Sequence, residues 1–361
     1  MRGFQVKEHL HPGKISVSDG IPLPKCGKNE ILVEVYSAGL NFFDILQSQG
    51  KYQNQPPLPF VLGSEFAGRV ALNSHIPVDC PFRPGDRVLG AAQGAFGEVV
   101  AADWRSCIPV PKEMTWEQAS GIYVTYPTSY EALVGRAQTK AGEWVLVHAA
   151  AGGVGMAAVQ IAKALGCKVI ATASTEDKRQ ICKEKGGADY TIDYTKTGWQ
   201  QEVLKITDGH GADVIYDPVG LLVPSLKCVA WKGRLLVVGF AAGQIEKVPA
   251  NLILLKNVSL VGVHWGATAR KEPPHVETVW RDLLALFSSR KLVPLVYDQL
   301  YEGLDSISEG LHDLETRKTW GKAVVQVRRD DGKVLSHDGT SGQLSKSAIK
   351  PGPNAPLPAK L

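Results

Sequence analysis

No two of the six cysteines, at positions 26, 80, 107, 167, 182 and 228, stand as a Cys-x-x-Cys pair. Such spacing offers neither a structural metal cluster nor a disulfide framework, so a reducing compartment is the default. No apolar run is long enough to span a bilayer, and membrane insertion is not expected. The opening residues, Met1 to Leu10, hold neither a secretory apolar core nor an Arg-rich, acid-free presequence. Concentrated positive charge is missing as well. Of the formal net charge of +4, the segment from Arg328 to Leu361 carries +3, which leaves +1 on the rest of the chain. Nucleic acid, which demands a basic stripe, is therefore not an expected partner. What remains is ordinary globular composition, 44% hydrophobic and 21% charged, on 361 residues. That length suits two domains and a tail.

The periodicity changes along the chain. Up to about residue 125, short strand runs (Glu30 to Ser37, Phe66 to Leu72, Asp86 to Gly90, Gly97 to Ala101) alternate with Pro and Gly turns, which predicts a compact, mostly β domain. From about Tyr126 strands alternate with helices. The strands are Trp144 to Ala149, Lys168 to Ala173, Asp189 to Ile192, Ala212 to Asp217, Arg234 to Gly239 and Val258 to Val263. Six such runs describe a doubly wound, six-stranded parallel sheet of the Rossmann kind, an α/β fold. A helix from Val276 to Ser288, a strand at Val293 to Val296, a helix near Asp305 to Glu315 and a closing strand at Lys322 to Val327 follow. These last segments are expected to rejoin the first domain. The domain expectation is thus 1–125 completed by about 290–328, a nucleotide domain over 126–289, and a disordered tail over 329–361.

The most informative stretch is Val145 to Leu165. An apolar strand runs into Ala149-Ala-Ala-Gly-Gly-Val-Gly155, and a helix follows with Val154, Ala157, Ala158, Ile161, Ala162 and Leu165 on one face. This strand, turn and helix order is the setting of a dinucleotide fingerprint. Gly152 lets the backbone approach a pyrophosphate, Gly155 lets the helix pack on the strand, and the free N–H groups around Gly153 and Val154 face the phosphates. Ala150 stands where the first glycine is usual. The next strand then distinguishes the nucleotide. It ends in Thr172, Ala173 and Ser174 rather than in an acid, with Lys178 and Arg179 one turn on. A hydroxyl and a cation suit a 2′-phosphate, so NADPH is expected as cofactor. The same two cations also suit a solvated helix face.

At this point the chain resembles the quinone oxidoreductase (zeta-crystallin-like) family of medium-chain dehydrogenases/reductases, over roughly residues 1–328. Five stretches carry the resemblance: Asn41-Phe-Phe-Asp44 with Gly50-Lys-Tyr52, Pro59 to Glu65, Ala149 to Gly155, Tyr216-Asp-Pro-Val-Gly220, and Asn251 to Lys256. The resemblance implies a GroES-like substrate domain, a Rossmann domain, a cofactor cleft between them and a homodimer. Zinc-dependent relatives have a cysteine at the position of Asn41 and a histidine at Ser64. Neither residue here supplies such a ligand, so no metal is expected.

Reduction of an acceptor that is already electrophilic then remains, a quinone or an activated α,β-unsaturated carbonyl. Asn41 is expected to offer an amide donor and Tyr52 a phenolic one, while Asp44 by analogy holds the group in place. Carried over by position are Thr128 near the nicotinamide, Tyr194 near the adenosine phosphate, Gly239 and Phe240 at the sheet's C-terminal edge, and Asn251 across the dimer cleft. His264-Trp265 is expected to be interface or pocket wall. An enoyl-thioester reductase and a non-catalytic NADPH-binding protein are the alternative readings. Finally, Ala359-Lys360-Leu361 is a close variant of the Ser-Lys-Leu address, so peroxisomal import through its receptor is an expectation, with cytoplasmic residence as the alternative.

Overall fold

The computed structural model describes residues 1–241, 243 and 245–335. The first domain is built on β1 (Glu30–Gly39), β2 (Glu65–Val70), β3 (Arg87–Ala91), β4 (Val99–Asp103) and β5 (Cys107–Pro109). Antiparallel pairing runs from β1 to β2 and β4, from β2 to β3, and from β3 to β5. Alternate residues of β1, Ile31, Val33 and Val35, are fully buried and meet Phe4, Phe66 and Phe96 in one apolar core. The period-2 pattern of the sequence thus becomes the inner face of the sheet. Directly after β1, α1 (Phe42–Ser48) is started by Asn41, with Asp44 closing a capping box on the Asn41 backbone N–H at 2.8 Å.

The second domain contains β6 (Trp144–Val147), β7 (Lys168–Thr172), β8 (Tyr190–Ile192), β9 (Ala212–Asp217), β10 (Val229–Val237) and β11 (Ser259–Gly262), all parallel. Their spatial order is β8-β7-β6-β9-β10-β11. The order reverses beside β6, and its C-terminal end opens the crevice where ligands of such sheets bind. Val145, Leu146 and Val147 are fully buried because helices cover both faces. The chain then returns through α2 (Pro273–Ser288) and α3 (Ile307–Glu315). Strands Tyr301–Glu302 and Val324–Gln326 complete the first domain's sheet, the latter pairing with β1.

Three expectations need correction. Val293 to Val296 is not a strand: Pro294 has no N–H to give, and only one bridge, Val296 to Lys322, forms. The expected tail does not begin at 329. Arg329 donates to the Lys333 carbonyl, Arg328 bridges Val334, and Leu335 is buried, so residues 329–335 fold back over β1 as a turn. Trp265 is core, packed with Trp280 and Leu283, rather than interface or pocket wall. The remaining tail and its Ala359-Lys360-Leu361 ending lie outside the described residues.

His148 closes β6 from within. Its two ring nitrogens meet the Thr172 and Ser225 hydroxyls at 3.1 and 2.9 Å, and its ring stands edge-on to Trp199. Burial pushes its pKa down to about 4, so the folded protein holds it neutral. The unfolded chain protonates near 6.5, so this stabilisation is present above that pH and is lost as pH falls toward 4. The loss amounts to roughly 3 kcal/mol. Denaturant unfolding at pH 7.5 and 4.5 is expected to show the stability gap between wild type and His148→Asn narrowing at the lower pH. A constant gap would mean that the fold leaves the ring's pKa where it stands in the unfolded chain.

Candidate active site

The glycine turn is shaped by close approach. A Cβ on Gly155 would lie 2.5 Å from the Ala149 carbonyl oxygen, and one on Gly153 would press on Thr125 at 3.0 Å. Gly152 meets only Ala149, at 3.4 Å, and its face is open to the cleft. The strain that an initial glycine would absorb falls on Ala149, whose φ is +45°. Ala150 is free to be buried. Along β9, Asp217 accepts the backbone N–H groups of Val219, Gly220 and Leu221 at 2.8, 2.9 and 2.5 Å. This turns Pro218 and Val219 into the cleft wall opposite the glycine turn. The Tyr216 to Gly220 motif therefore shapes the cleft through its aspartate.

The cleft has a volume of about 270 Å³ and is lined by both domains. At one end stand Ser174, Lys178, Tyr194 and Arg317. Lys178 donates to the Arg317 carbonyl at 2.5 Å, and burial together with the Arg317 charge lowers its pKa. Both residues line a cleft whose lining holds no carboxylate, so their charge is available to an anion. The expected cation pair is thus divided. Lys178 faces the cleft, whereas Arg179 folds onto Glu176, Asp193 and the Ala173 carbonyl. Arg317 escaped the sequence reading because 139 residues separate it from Lys178.

At the other end Asn41 meets three partners. Its Nδ2 donates to Glu65 Oε1 at 2.8 Å and to the Gly39 carbonyl at 3.3 Å, and its Oδ1 accepts from Lys322 Nζ at 2.7 Å. Lys322 also pairs with Glu65 Oε1 at 2.5 Å, and the Val124 N–H donates to Glu65 Oε2 at 3.0 Å. Gly39 is required here, since its Cβ would lie 2.7 Å from that carboxylate. Asp44 sits beneath, fully buried, with Oδ1 unpartnered. Desolvation pushes its pKa up to about 8.

The other expected residues are spread more widely. Gly152, Gly153 and Val154 line the cleft, with Gly155 packed behind them. Tyr52 is half-buried and stacks on Phe43 at 5.3 Å, outside the cleft lining. The Thr128 hydroxyl donates to the Val124 carbonyl within its own helix. Gly239, Phe240 and Asn251 also lie outside the lining, with Phe240 and Asn251 exposed.

These features define a two-domain dehydrogenase class. Residues 27–112 match the alcohol dehydrogenase GroES-like domain, and residues 153–288 match the zinc-binding dehydrogenase family. A quinone oxidoreductase-like protein 2 homologue of Nematostella vectensis is 38% identical over 319 residues, 87% of this chain and 86% of the relative. The quinone oxidoreductase of Homo sapiens is 31% identical over 277 residues, 75% of this chain and 82% of the relative. The structure of Escherichia coli quinone oxidoreductase complexed with NADPH superposes with a TM-score of 0.81 at 29% identity, over 90% of this chain and all of that one. The chain belongs to the quinone oxidoreductase family of medium-chain dehydrogenases/reductases and is a quinone oxidoreductase-like reductase.

The zinc in one matched family's description does not fit these residues. Among the described residues no three His, Cys, Asp or Glu side chains come together to hold a metal ion. Of the two carboxylates at the place, Glu65 is already taken by Lys322, Asn41 and Val124, and Asp44 by the Asn41 backbone N–H. A dinucleotide fits: the glycine turn that opens the helix at Gly153 and the two cations line the same cleft. Lys178→Ala and Arg317→Ala are each expected to weaken NADPH binding about tenfold and NADH binding much less, since only NADPH carries the 2′-phosphate. Fluorescence titration with both nucleotides checks this, and equal losses would remove the phosphate assignment.

Proposed function

We propose that the protein uses NADPH to reduce a quinone or an activated α,β-unsaturated carbonyl, without zinc. The observation that carries this reading is one continuous cleft. It runs from the Lys178 and Arg317 cations, past the glycine turn, to an apolar end walled by Leu40, Phe42 and Leu314 and floored by Asn41 and Lys322. The bound nucleotide would supply a hydride. The chain supports the rest: the cation pair holds the phosphate end, and the glycine turn receives the pyrophosphate. The apolar walls exclude water and seat a flat acceptor. Asn41 and Glu65 occupy their bonds with one another and with Lys322, which suits a fixed floor better than a metal shell.

Oxidation of NADPH followed by absorbance, against quinones, enones and enoyl thioesters, tests the reading. Turnover with the first two and no change after EDTA treatment is the expected outcome. A clear preference for enoyl thioesters would favour the enoyl-thioester reductase. No turnover with any acceptor at saturating NADPH would leave a binding protein.

We also infer a homodimer formed at β11. This strand pairs with β10 on one side only, and Leu254, Leu255 and Leu260 lie exposed on and beside it. An open edge with an apolar flank is complementary to a second copy of itself under two-fold symmetry. Light scattering is expected to give twice the chain mass of 38.9 kDa, and the paired change Leu254→Glu with Leu255→Glu to give the monomer. A monomeric wild type would end this inference.

A further inference from the structure

We propose that Lys322 is the catalytic electrophile of the cleft, its ammonium donating to the acceptor's carbonyl oxygen and receiving the charge that reduction places there. The inference rests on the reductase reading and assigns its reacting residue.

Counting donors leads to it. Both Asn41 Nδ2 hydrogens are spent, on Glu65 and on the Gly39 carbonyl, so Asn41 has no donor left for an acceptor. Asp44 faces away from solvent and holds the Asn41 backbone N–H. Tyr52 is stacked on Phe43 outside the cleft lining. Lys322, by contrast, lines the cleft, and its ammonium has three N–H groups. One goes to Asn41 Oδ1 and one to Glu65 Oε1, which leaves the third.

The backbone makes the group rigid. Lys322 N–H donates to the Leu295 carbonyl, Tyr297 N–H donates to the Lys322 carbonyl, and Gly321 N–H donates to the Ala151 carbonyl at 2.7 Å. The side chain is 8% exposed and that of Glu65 not at all. Asn41 and Glu65 are positioning residues: they aim the ammonium and compensate its charge before an acceptor enters. A cation held in this way occupies the role that zinc fills as an electrophile, at a site whose donors do not suit zinc.

For an enone, hydride with its electron pair adds to the carbon β to the carbonyl. The C=C π pair moves to form the new α-carbon to carbonyl-carbon double bond, and the C=O π pair moves onto oxygen. That enolate oxygen takes the Lys322 hydrogen bond. A proton from water then adds at the α carbon, the C=O bond re-forms, and the ketone leaves.

Lys322→Met alone would strand the buried Glu65 carboxylate, so the paired variant Lys322→Met with Glu65→Gln is used beside Lys322→Arg. With 2-cyclohexenone, kcat is expected to fall about 100-fold in the paired variant and to recover in part in Lys322→Arg. The NADPH Kd from fluorescence titration should stay within about threefold. Menadione, electrophilic without help, should lose less. Independently of turnover, 4-nitrophenol bound to the wild type is expected to ionise about one pH unit lower than when bound to the paired variant, read from the yellow phenolate. Unchanged enone turnover, or a tenfold weaker NADPH Kd with unchanged kcat, would overturn the proposal, the latter by moving Lys322 to the pyrophosphate. A wild type inert toward every acceptor would defeat the reductase reading, and an absent phenolate shift would defeat the role of Lys322 on its own.

Discussion

The buried ion pair between Lys322 and Glu65 is the constraint on which the rest of the cleft depends. Glu65 opens β2 in the first domain, while Lys322 comes from the returning chain, one residue after Gly321 has bonded to Ala151 at the glycine turn. One residue step thus joins the glycine turn to the floor at the other end of the cleft. Taking both charges out of water is costly, and their attraction offsets this only when the remaining lone pairs and protons are satisfied. Asn41 and the Val124 N–H do that for Glu65. The pair does not rank as a source of stability so much as a fixed register between two domains.

That register explains several otherwise unrelated features. Gly39 has no side chain because the Glu65 carboxylate occupies the space, and Arg317 adopts φ of +59° so that the segment from Thr316 to Lys322 can pass along the cleft. The same segment is held from outside: Lys318 and Tyr301 both bond to Asp313, and the Lys185 ammonium lies 4.0 Å from the centre of the Trp320 ring. Contacts from both domains therefore fix one strap of seven residues. Four of the residues lining the cleft, Arg317, Thr319, Gly321 and Lys322, ride on it.

The glycine turn and the parallel sheet behind it were legible in the sequence because their signals are local. A glycine turn, an apolar strand before it and a helical face after it lie within about twenty residues, and the six strand runs follow the same period. Lys178 was legible for the same reason, by its place after β7. The acceptor half was legible only in part. Asn41 and Asp44 stand out together, yet the partner that defines their role, Lys322, is 281 residues from Asn41. Nothing in the string around Gly321-Lys322 distinguishes a buried cation from a solvated one. Tyr52 stands out by its spacing from Asp44, and the structure adds only that its ring stacks on Phe43, outside the cleft lining.

The two ends of the cleft differ in how their positive charge is balanced, and this assigns them different tasks. Lys178 and Arg317 line their end of the cleft with no carboxylate in that lining, so their attraction for an anion is available to a ground-state ligand and contributes affinity. Lys322 is neutralised by Glu65 before any ligand arrives, so it attracts a neutral carbonyl only weakly. Its remaining N–H gains strength as negative charge grows on the oxygen it faces. An interaction that strengthens between substrate and transition state lowers the barrier, whereas one that is equal in both only tightens binding. The near-neutral body charge conceals this division, because an uncompensated pair at one end and a compensated one at the other sum to little. Under the proposed function, the unbalanced cations stand where a nucleotide phosphate would be held and the balanced one where electrons would arrive, which separates affinity from catalysis within a single cleft.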